Sequence, residues 1–244
     1  MTEPNQNRQT YDHFAGNYHR KRRNEADSLW NRYLDKPMIE KMIGEVDKES
    51  MALDLGCGSG HLTGWLKDNG WTVCGSDFSS ELIALAKEDH LDLEFSVADM
   101  RQTPYADGSF GLVISGLVLH YIEDLNPVYA EVARLLEDQG VFVFTVHHPF
   151  DEVTEVEAKG DRFEARMNPY FHGNSYRWTL LDGMELTSYH HTFEVISEGA
   201  RKNGFVIEQI LESRADDQFK QSYPEFYART NAYPSFCGFK VRKR

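Results

Sequence analysis

From about residue 51 onward, short apolar runs suited to buried strands alternate with longer segments in which apolar residues recur at helical spacing. Residues 51–55 read as a first strand and 61–69 as the helix after it. Residues 71–76 form a second strand, 80–89 a helix opened by a serine cap, and 93–98 a third strand. A β-α-β-α-β order calls for parallel strands joined by right-handed crossovers. Residues 110–115 then supply a fourth strand, 127–136 a helix stopped near Gly140, and 141–146 a fifth strand rich in Val and Phe.

Between residues 149 and 191 the alternation breaks. Charges mix there with Phe150, Phe163, Tyr170, Phe171, Tyr176, Trp178 and Tyr189 without a clean period, as in an insertion or cap. Residues 192–203 read as a helix closed by Gly204, 205–212 as a strand, and 236–242 as a last strand after a polar, Tyr-rich connection. Ahead of all the strands, residues 11–18 and 24–33 are amphipathic enough for helices that fold over the mouth of the sheet, with Trp30 and Tyr33 near one another on one face. The expected fold is α/β: a Rossmann-like, doubly wound, mostly parallel seven-stranded sheet with its last strand antiparallel. N-terminal lid helices over residues 1–45 and a small insertion after the fifth strand, residues 149–191, complete one domain.

Composition narrows the class of function. With 244 residues and 41% hydrophobic content the chain can fill one large core. Its 26 basic against 39 acidic residues leave a formal charge of −13, which a phosphate backbone repels, so nucleic acid is not an expected partner. Cys57, Cys74 and Cys237 show neither close pairing nor metal-ligand spacing, which suits a reducing, cytoplasmic setting. The polar first ten residues lack the apolar core of a signal peptide, and the longest mostly apolar stretch, 110–122, is short for a bilayer. No membrane partner is expected, and the oligomeric state is expected to be monomer or homodimer.

The strongest chemical signal is Ala52-Leu53-Asp54-Leu55-Gly56-Cys57-Gly58-Ser59-Gly60, an apolar strand ending in an acid and running through glycines into a helix. Such a turn lets a cofactor approach bare backbone at the C-terminal edge of the sheet. Asp77 closes the second strand, where a carboxylate can accept from both hydroxyls of a ribose, and Asp99 closes the third beside the same crevice. A dinucleotide site wants a third glycine where this chain has His61. A cofactor without phosphates has no such need, and S-adenosylmethionine suits the spacing. Simpler roles exist for the same residues: Asp54 capping amides of the turn, Asp77 capping the next helix.

Taken together, these segments resemble the class I S-adenosylmethionine-dependent methyltransferases, in the small-molecule branch with a Leu-Asp-x-Gly-Cys-Gly-x-Gly first motif. The resemblance implies that residues 53–60, with Asp54, Gly56, Cys57 and Gly58, bind the methionine portion of the cofactor. It further implies that Asp77 binds its ribose, that Phe78 lies beside the adenine, and that Asp99 and Met100 meet the adenine edge. Ser115 and Gly116 begin the Ser-Gly-Leu-Val-Leu-His-Tyr segment expected under the sulfonium, and Tyr11 and Tyr18 are placed against the cofactor.

Methyl transfer from a sulfonium is an in-line displacement, so positioning is much of the catalysis, and only a proton-bearing nucleophile profits from a general base. Histidine is the natural base near neutral pH. Of 10 histidines, His120 after the fourth strand and His148 after the fifth are the candidate catalytic pair. Trp30, Tyr33, His147, Tyr170, Tyr176 and Arg177 are the candidate substrate wall, with Arg177 as its cationic contact. His190-His191 lacks a zinc spacing, and no metal is expected. After the fourth strand there is neither the Asn/Asp-Pro-Pro-Tyr of amide and exocyclic-nitrogen methyltransferases nor a metal-holding carboxylate. The expected reaction is metal-independent methyl transfer to O or N of a small molecule. The alternatives are a non-catalytic S-adenosylmethionine-binding regulator and, more remotely, a nicotinamide-dependent oxidoreductase.

Overall fold

The computed structural model describes residues 3–24, 28–160, 162–172, 175–181 and 183–244. In chain order the elements are α1 (Glu3–Arg23), a π-helical turn (Asn31–Asp35), α2 (Lys36–Ile43), β1 (Ala52–Leu55), α3 (His61–Asp68), β2 (Val73–Asp77), α4 (Ser80–Asp89), β3 (Glu94–Val97) and β4 (Phe110–Gly116). They continue with a 3-10 turn (Leu119–Tyr121), α5 (Asn126–Leu135), β5 (Leu136–His147) and a one-turn helix α6 (Pro149–Glu152). Two hairpins follow, β6 (Thr154–Lys159) with β7 (Arg162–Met167) and β8 (Ser175–Leu181) with β9 (Met184–Tyr189). The chain closes with α7 (Phe193–Lys202), β10 (Phe205–Glu212), α8 (Asp217–Ser222), α9 (Pro224–Ala232) and β11 (Phe236–Lys243).

Seven strands form one sheet in the order β10-β11-β5-β4-β1-β2-β3. The pairs among β1 to β5 are parallel, while β11 runs antiparallel to both β5 and β10. The chain leaves β1 toward β2 and β3, then returns to β4 on the other side of β1, so the strand order reverses at the β1/β4 boundary. At such a switch point the loops diverge and leave a crevice beyond the C-terminal strand ends.

Strand alternation sorts the apolar residues into two cores. Leu53, Leu55, Val113, Phe142, Phe144 and Val146 face α5 and α7, where Val128, Tyr129, Val132 and Ile196 cover them. Ala52, Leu112, Ile114, Val141 and Val143 face the opposite way, onto Ile39 and Met42 of α2 and Phe219 of α8. The same parity decides which face every polar side chain of β1, β4 and β5 presents.

Several elements differ from the sequence expectation. One continuous helix, α1, replaces the short segment 11–18, and of the expected helix 24–33 residues 25–27 lie outside the described residues. Residues 149–191 are mostly two hairpins rather than irregular cap. The connection 213–235 holds two helices, each short enough that its apolar period is hard to see. The helix expected to run to 136 ends at Leu135, and the chain enters β5 at once through a bulge against β4 with Gln139 at φ 63. Among the described residues no helix is long and apolar enough to cross a membrane.

Candidate functional site

A cavity of about 600 Å³ opens over the C-terminal ends of β1, β2 and β4 and runs beneath α1 and the β8–β9 hairpin. One end is built by the β1–α3 turn. Gly56 at φ 84 and Gly58 at φ 55 hold conformations that L side chains rarely adopt, and they keep main chain rather than side chain on the cavity wall. The Gly58 amide donates to Asp77 Oδ2 at 2.9 Å, and the Ser79 amide donates to Oδ1 at 2.9 Å. Asp77 is buried against the cavity, and burial pushes its carboxyl up to about 6 while the two amides pull it down. The helix cap beside it is Ser79, which accepts from the Leu82 amide, so capping α4 is not the role of Asp77.

Asp54 is buried and accepts from the Thr63 hydroxyl at 2.7 Å, tying β1 to the first turn of α3. Burial pushes its carboxyl up to about 7, opposed by that hydrogen bond. Phe78 and Met100 supply apolar surface along the same end of the cavity, with Cys57 and Tyr18. Asp99 also lines it, but Arg101 holds both its oxygens, through Nε to Oδ1 and Nη2 to Oδ2. The Tyr11 hydroxyl donates to that of Tyr121 at 3.0 Å, joining α1 to the turn after β4.

Beyond the turn the cavity becomes aromatic. His120 and His147 stack with ring centres 3.9 Å apart and planes 13° apart. Trp178 meets His147 edge-on at 5.1 Å, and the Phe236 ring lies near-parallel to it at 5.9 Å. Both nitrogens of the buried His120 are without a hydrogen-bond partner among the described residues, and burial holds its imidazole well below the usual range. The Nδ1 of His147 is bonded to the Tyr176 hydroxyl at 3.0 Å. Burial lowers this imidazole to about 4, so it is neutral near pH 7. Asp35 enters the same wall, accepting from Thr145 Oγ1 at 2.6 Å, its carboxyl pushed up to about 6 by burial.

Five expected site residues stand elsewhere, and a sixth stands one layer back. Ser115 is fully buried on the α5/α7 face of β4, where its hydroxyl donates to the Leu55 carbonyl at 2.8 Å; only Gly116 of the pair lines the cavity. His148 follows His147 by one residue and so turns to the opposite face of the sheet. There its Nδ1 caps α6 by accepting from the Phe150 amide, and its ring packs edge-on against Phe193. Arg177 lies between two inward-facing residues of β8 and is exposed. Tyr33 packs against Phe219 and Tyr223, leaving Trp30 alone of that pair at the cavity. Tyr170 accepts the Phe193 amide outside the cavity, and Tyr176 sits behind His147 rather than on the wall.

Sequence reasoning missed Arg22, Asp35 and Phe236. Arg22 lines the cavity on the last turn of α1, and its Nη1 is buried without a hydrogen-bond partner among the described residues. Its signal, one cation in the run Arg20-Lys21-Arg22-Arg23, does not distinguish it from solvated neighbours. Among the described residues, no three His, Cys, Asp or Glu gather in a way that would hold a metal ion.

A sheet of this order with a glycine turn at its switch point and an acid at the end of β2 defines a nucleoside-binding α/β fold. A family model described as a methyltransferase domain (Methyltransf_11) matches residues 53–144. The chain is similar to the malonyl-[acyl-carrier protein] O-methyltransferase of Enterobacter lignolyticus, 33% identical over 93 residues, 38% of this chain and 37% of that enzyme. The match thus spans little more than a third of that curated relative. A putative methyltransferase, YqeM of Bacillus subtilis, is 29% identical over 96% of this chain and 87% of its own. The crystal structure of an S-adenosylmethionine-dependent methyltransferase from Mesorhizobium loti superposes with a TM-score of 0.76 at 26% identity, covering 85% of this chain and 96% of that one. The matched domain and these likenesses support a class I S-adenosylmethionine-dependent methyltransferase, with S-adenosylmethionine as the cofactor and S-adenosylhomocysteine as its product.

The cavity fits that molecule chemically. Asp77 keeps lone pairs for hydroxyl donors, Phe78 and Met100 offer apolar faces to a flat base, and Arg22 Nη1, buried and without a partner among the described residues, can donate to an acceptor such as a carboxylate.

Proposed function

We propose that the protein transfers a methyl group to an oxygen or nitrogen of a small molecule lying against His120 and His147. The observation that carries this reading is one continuous cavity joining the glycine turn and Asp77 to the stacked histidine pair. Its volume falls within the roughly 300–1,000 Å³ of small-ligand sites, and its far end is walled by Trp178 and Phe236.

In this reading Asp77, Phe78, Asp99 and Met100 hold the adenosine portion, while Asp54, Gly56, Cys57, Gly58 and Tyr18 surround the methionine portion. Bound there, the cofactor supplies an electrophilic methyl group on a sulfonium. The chain's own residues align the acceptor, keep water out and take its proton; Tyr11, Tyr121 and Trp178 close the roof over the reacting atoms. His120 and His147 are the imidazoles of the aromatic end of the cavity, and both are neutral near pH 7, as a base must be. The carboxylates nearest them are already engaged, Asp35 by Thr145 and Glu152 by His190 and Tyr176, which supports transfer without a bridging cation. The likeness to enzymes named as O-methyltransferases favours oxygen as the acceptor atom.

The test incubates the protein with methyl-deuterated S-adenosylmethionine and a small-molecule cell extract, reading new labelled products by mass spectrometry against a heat-inactivated control. A labelled product that disappears with Asp77→Ala supports the proposal. S-adenosylhomocysteine binding with no product from any extract sinks it in favour of a non-catalytic cofactor binder.

A further inference from the structure

Behind the cavity, the insertion carries a chain of buried polar groups. His147 Nδ1 meets the Tyr176 hydroxyl at 3.0 Å; that hydroxyl donates to Glu152 Oε1 at 3.1 Å; Glu152 Oε2 meets His190 Nδ1 at 2.6 Å; and His190 Nε2 meets the Tyr170 carbonyl at 2.8 Å. The side chains of Glu152 and His190 are 4% and 3% exposed, so water does not satisfy them. The four side chains come from β5, β8, α6 and the residue after β9.

The far end of this chain fixes the direction of every bond in it. A main-chain carbonyl only accepts, so His190 Nε2 carries hydrogen and donates to Tyr170. The next proton lies between His190 Nδ1 and Glu152 Oε2, and on whichever of the two it rests, Oε1 is left as an acceptor. Tyr176 therefore spends its one hydroxyl proton on Oε1, and its oxygen accepts from His147 alongside its hydrogen bond with Ser188. His147 then carries its hydrogen on Nδ1, and its Nε2 lone pair is bare.

We infer that the insertion sets the tautomer of His147, and that His147 Nε2 takes the proton from the methyl acceptor, with Tyr176, Glu152 and His190 as positioning residues. The inference rests on the methyltransferase reading above and goes beyond it by choosing between two stacked imidazoles. Among the described residues His120 has no hydrogen-bond partner on either nitrogen, so an imidazolium there would stand buried without a counter-charge. On His147 the new charge faces the Glu152 carboxyl across one hydroxyl group. The step balances: the acceptor X–H forms a bond to the methyl carbon, the carbon–sulfur bond breaks with its electron pair staying on sulfur, and the acceptor proton moves to Nε2. Other groups facing the His147 ring are His120, Trp178 and Phe236, none of which supplies an anion.

Long-range proton–nitrogen NMR on the full chain saturated with S-adenosylhomocysteine tests this, with His147→Gln assigning the resonance. The expected result is His147 as the Nδ1–H tautomer in the wild type, shifting to Nε2–H or a mixture in Tyr176→Phe, while calorimetric affinity for S-adenosylhomocysteine changes less than twofold. With the acceptor found by isotope labelling, Tyr176→Phe and Glu152→Gln should lower kcat about 10-fold to 100-fold with little change in KM, within the range of general-base contributions. An Nε2–H tautomer in the wild type, or one unmoved by Tyr176→Phe, overturns the inference. Failure of the methyltransferase reading itself would show separately, as no binding of S-adenosylhomocysteine by the wild type or as binding with no labelled product from any extract.

Discussion

Asn7 and Thr187 exchange two buried hydrogen bonds: the Asn7 amide donates to the Thr187 carbonyl at 2.8 Å, and the Thr187 amide donates back to Asn7 Oδ1 at 3.0 Å. A side chain on α1 thus completes the edge of β9 as a neighbouring strand would, and the two pieces of the roof over the cavity become one unit. Lys21 adds a second tie, donating to the Leu180 carbonyl at 3.0 Å. Asn7→Ala leaves a buried main-chain N–H and C=O unpaired, which costs about 1–3 kcal/mol for each group that water does not reach. Urea unfolding should register that loss, and hydrogen exchange should speed up in β9 and α1 before it does in β4 or β5. Equal acceleration throughout would mean that the pairing does not define the roof.

Asp77 makes cofactor affinity dependent on pH. A ribose donates its hydroxyls best to an ionised carboxylate, and burial holds this one up to about 6 in the free protein. Below that value the ligand must first displace a proton; above it the acceptor is ready. Affinity for S-adenosylhomocysteine should therefore rise between pH 5 and pH 7, by at most about tenfold per pH unit, and level off above. Calorimetry at fixed ionic strength reads this directly. Asp77→Asn should bind more weakly and lose the dependence, and a wild-type affinity flat from pH 5 to pH 7 would remove Asp77 from the ribose site.

Much of this site was legible because it is local. The strand, glycine turn and following acid lie within 26 residues, from Ala52 to Asp77, and strand-to-helix turns bring such residues together without help from the rest of the chain. The misassigned residues on the strands share one cause. Ser115, His148 and Arg177 each sit one position out of phase with a cavity-facing neighbour, Gly116, His147 and Trp178, and a period of two sends them to the opposite face. That parity was readable from Val141, Val143 and Phe142, Phe144, once it was known which core each pair enters. Arg22, Asp35 and Phe236 were not readable, because only the packing of α1, α2 and β11 over the crevice turns them inward. The helices in 213–235 escaped notice for a different reason: six and nine residues offer too few turns for an apolar stripe to stand out.

His148 offers a control for the histidines on the cavity. Its ring caps a one-turn helix on the face of the sheet opposite His147, so His148→Ala should cost about 1 kcal/mol of stability, as loss of a cap does. Turnover of the labelled acceptor, measured well below the unfolding midpoint, should remain within about twofold of the wild type, since an altered rate of only that size corresponds to a few tenths of a kcal/mol in the barrier. His147→Gln under the same conditions should lose most of its activity. A large loss of turnover in folded His148→Ala would put the base on the other face of β5.

The two glycines of the turn separate strain from occupancy. At Gly56 a Cβ would lie 2.7 Å from Val118 Cγ2, at φ 84, so Gly56→Ala combines left-handed strain with a clash against a β-branched side chain. The cost should be about 2–4 kcal/mol. At Gly58 the nearest atom to a new Cβ is Tyr18 Cε1 at 3.5 Å, ordinary contact, so Gly58→Ala carries only the backbone term of about 1–2 kcal/mol. Its methyl group, however, would stand on the cavity wall beside the amide that Asp77 holds, in space the methionine portion of the cofactor needs. Urea unfolding should rank Gly56→Ala as the less stable variant, while calorimetry on folded Gly58→Ala should show S-adenosylhomocysteine bound at least tenfold more weakly than by the wild type. Wild-type affinity in Gly58→Ala would mean that the cofactor's methionine end lies away from this turn.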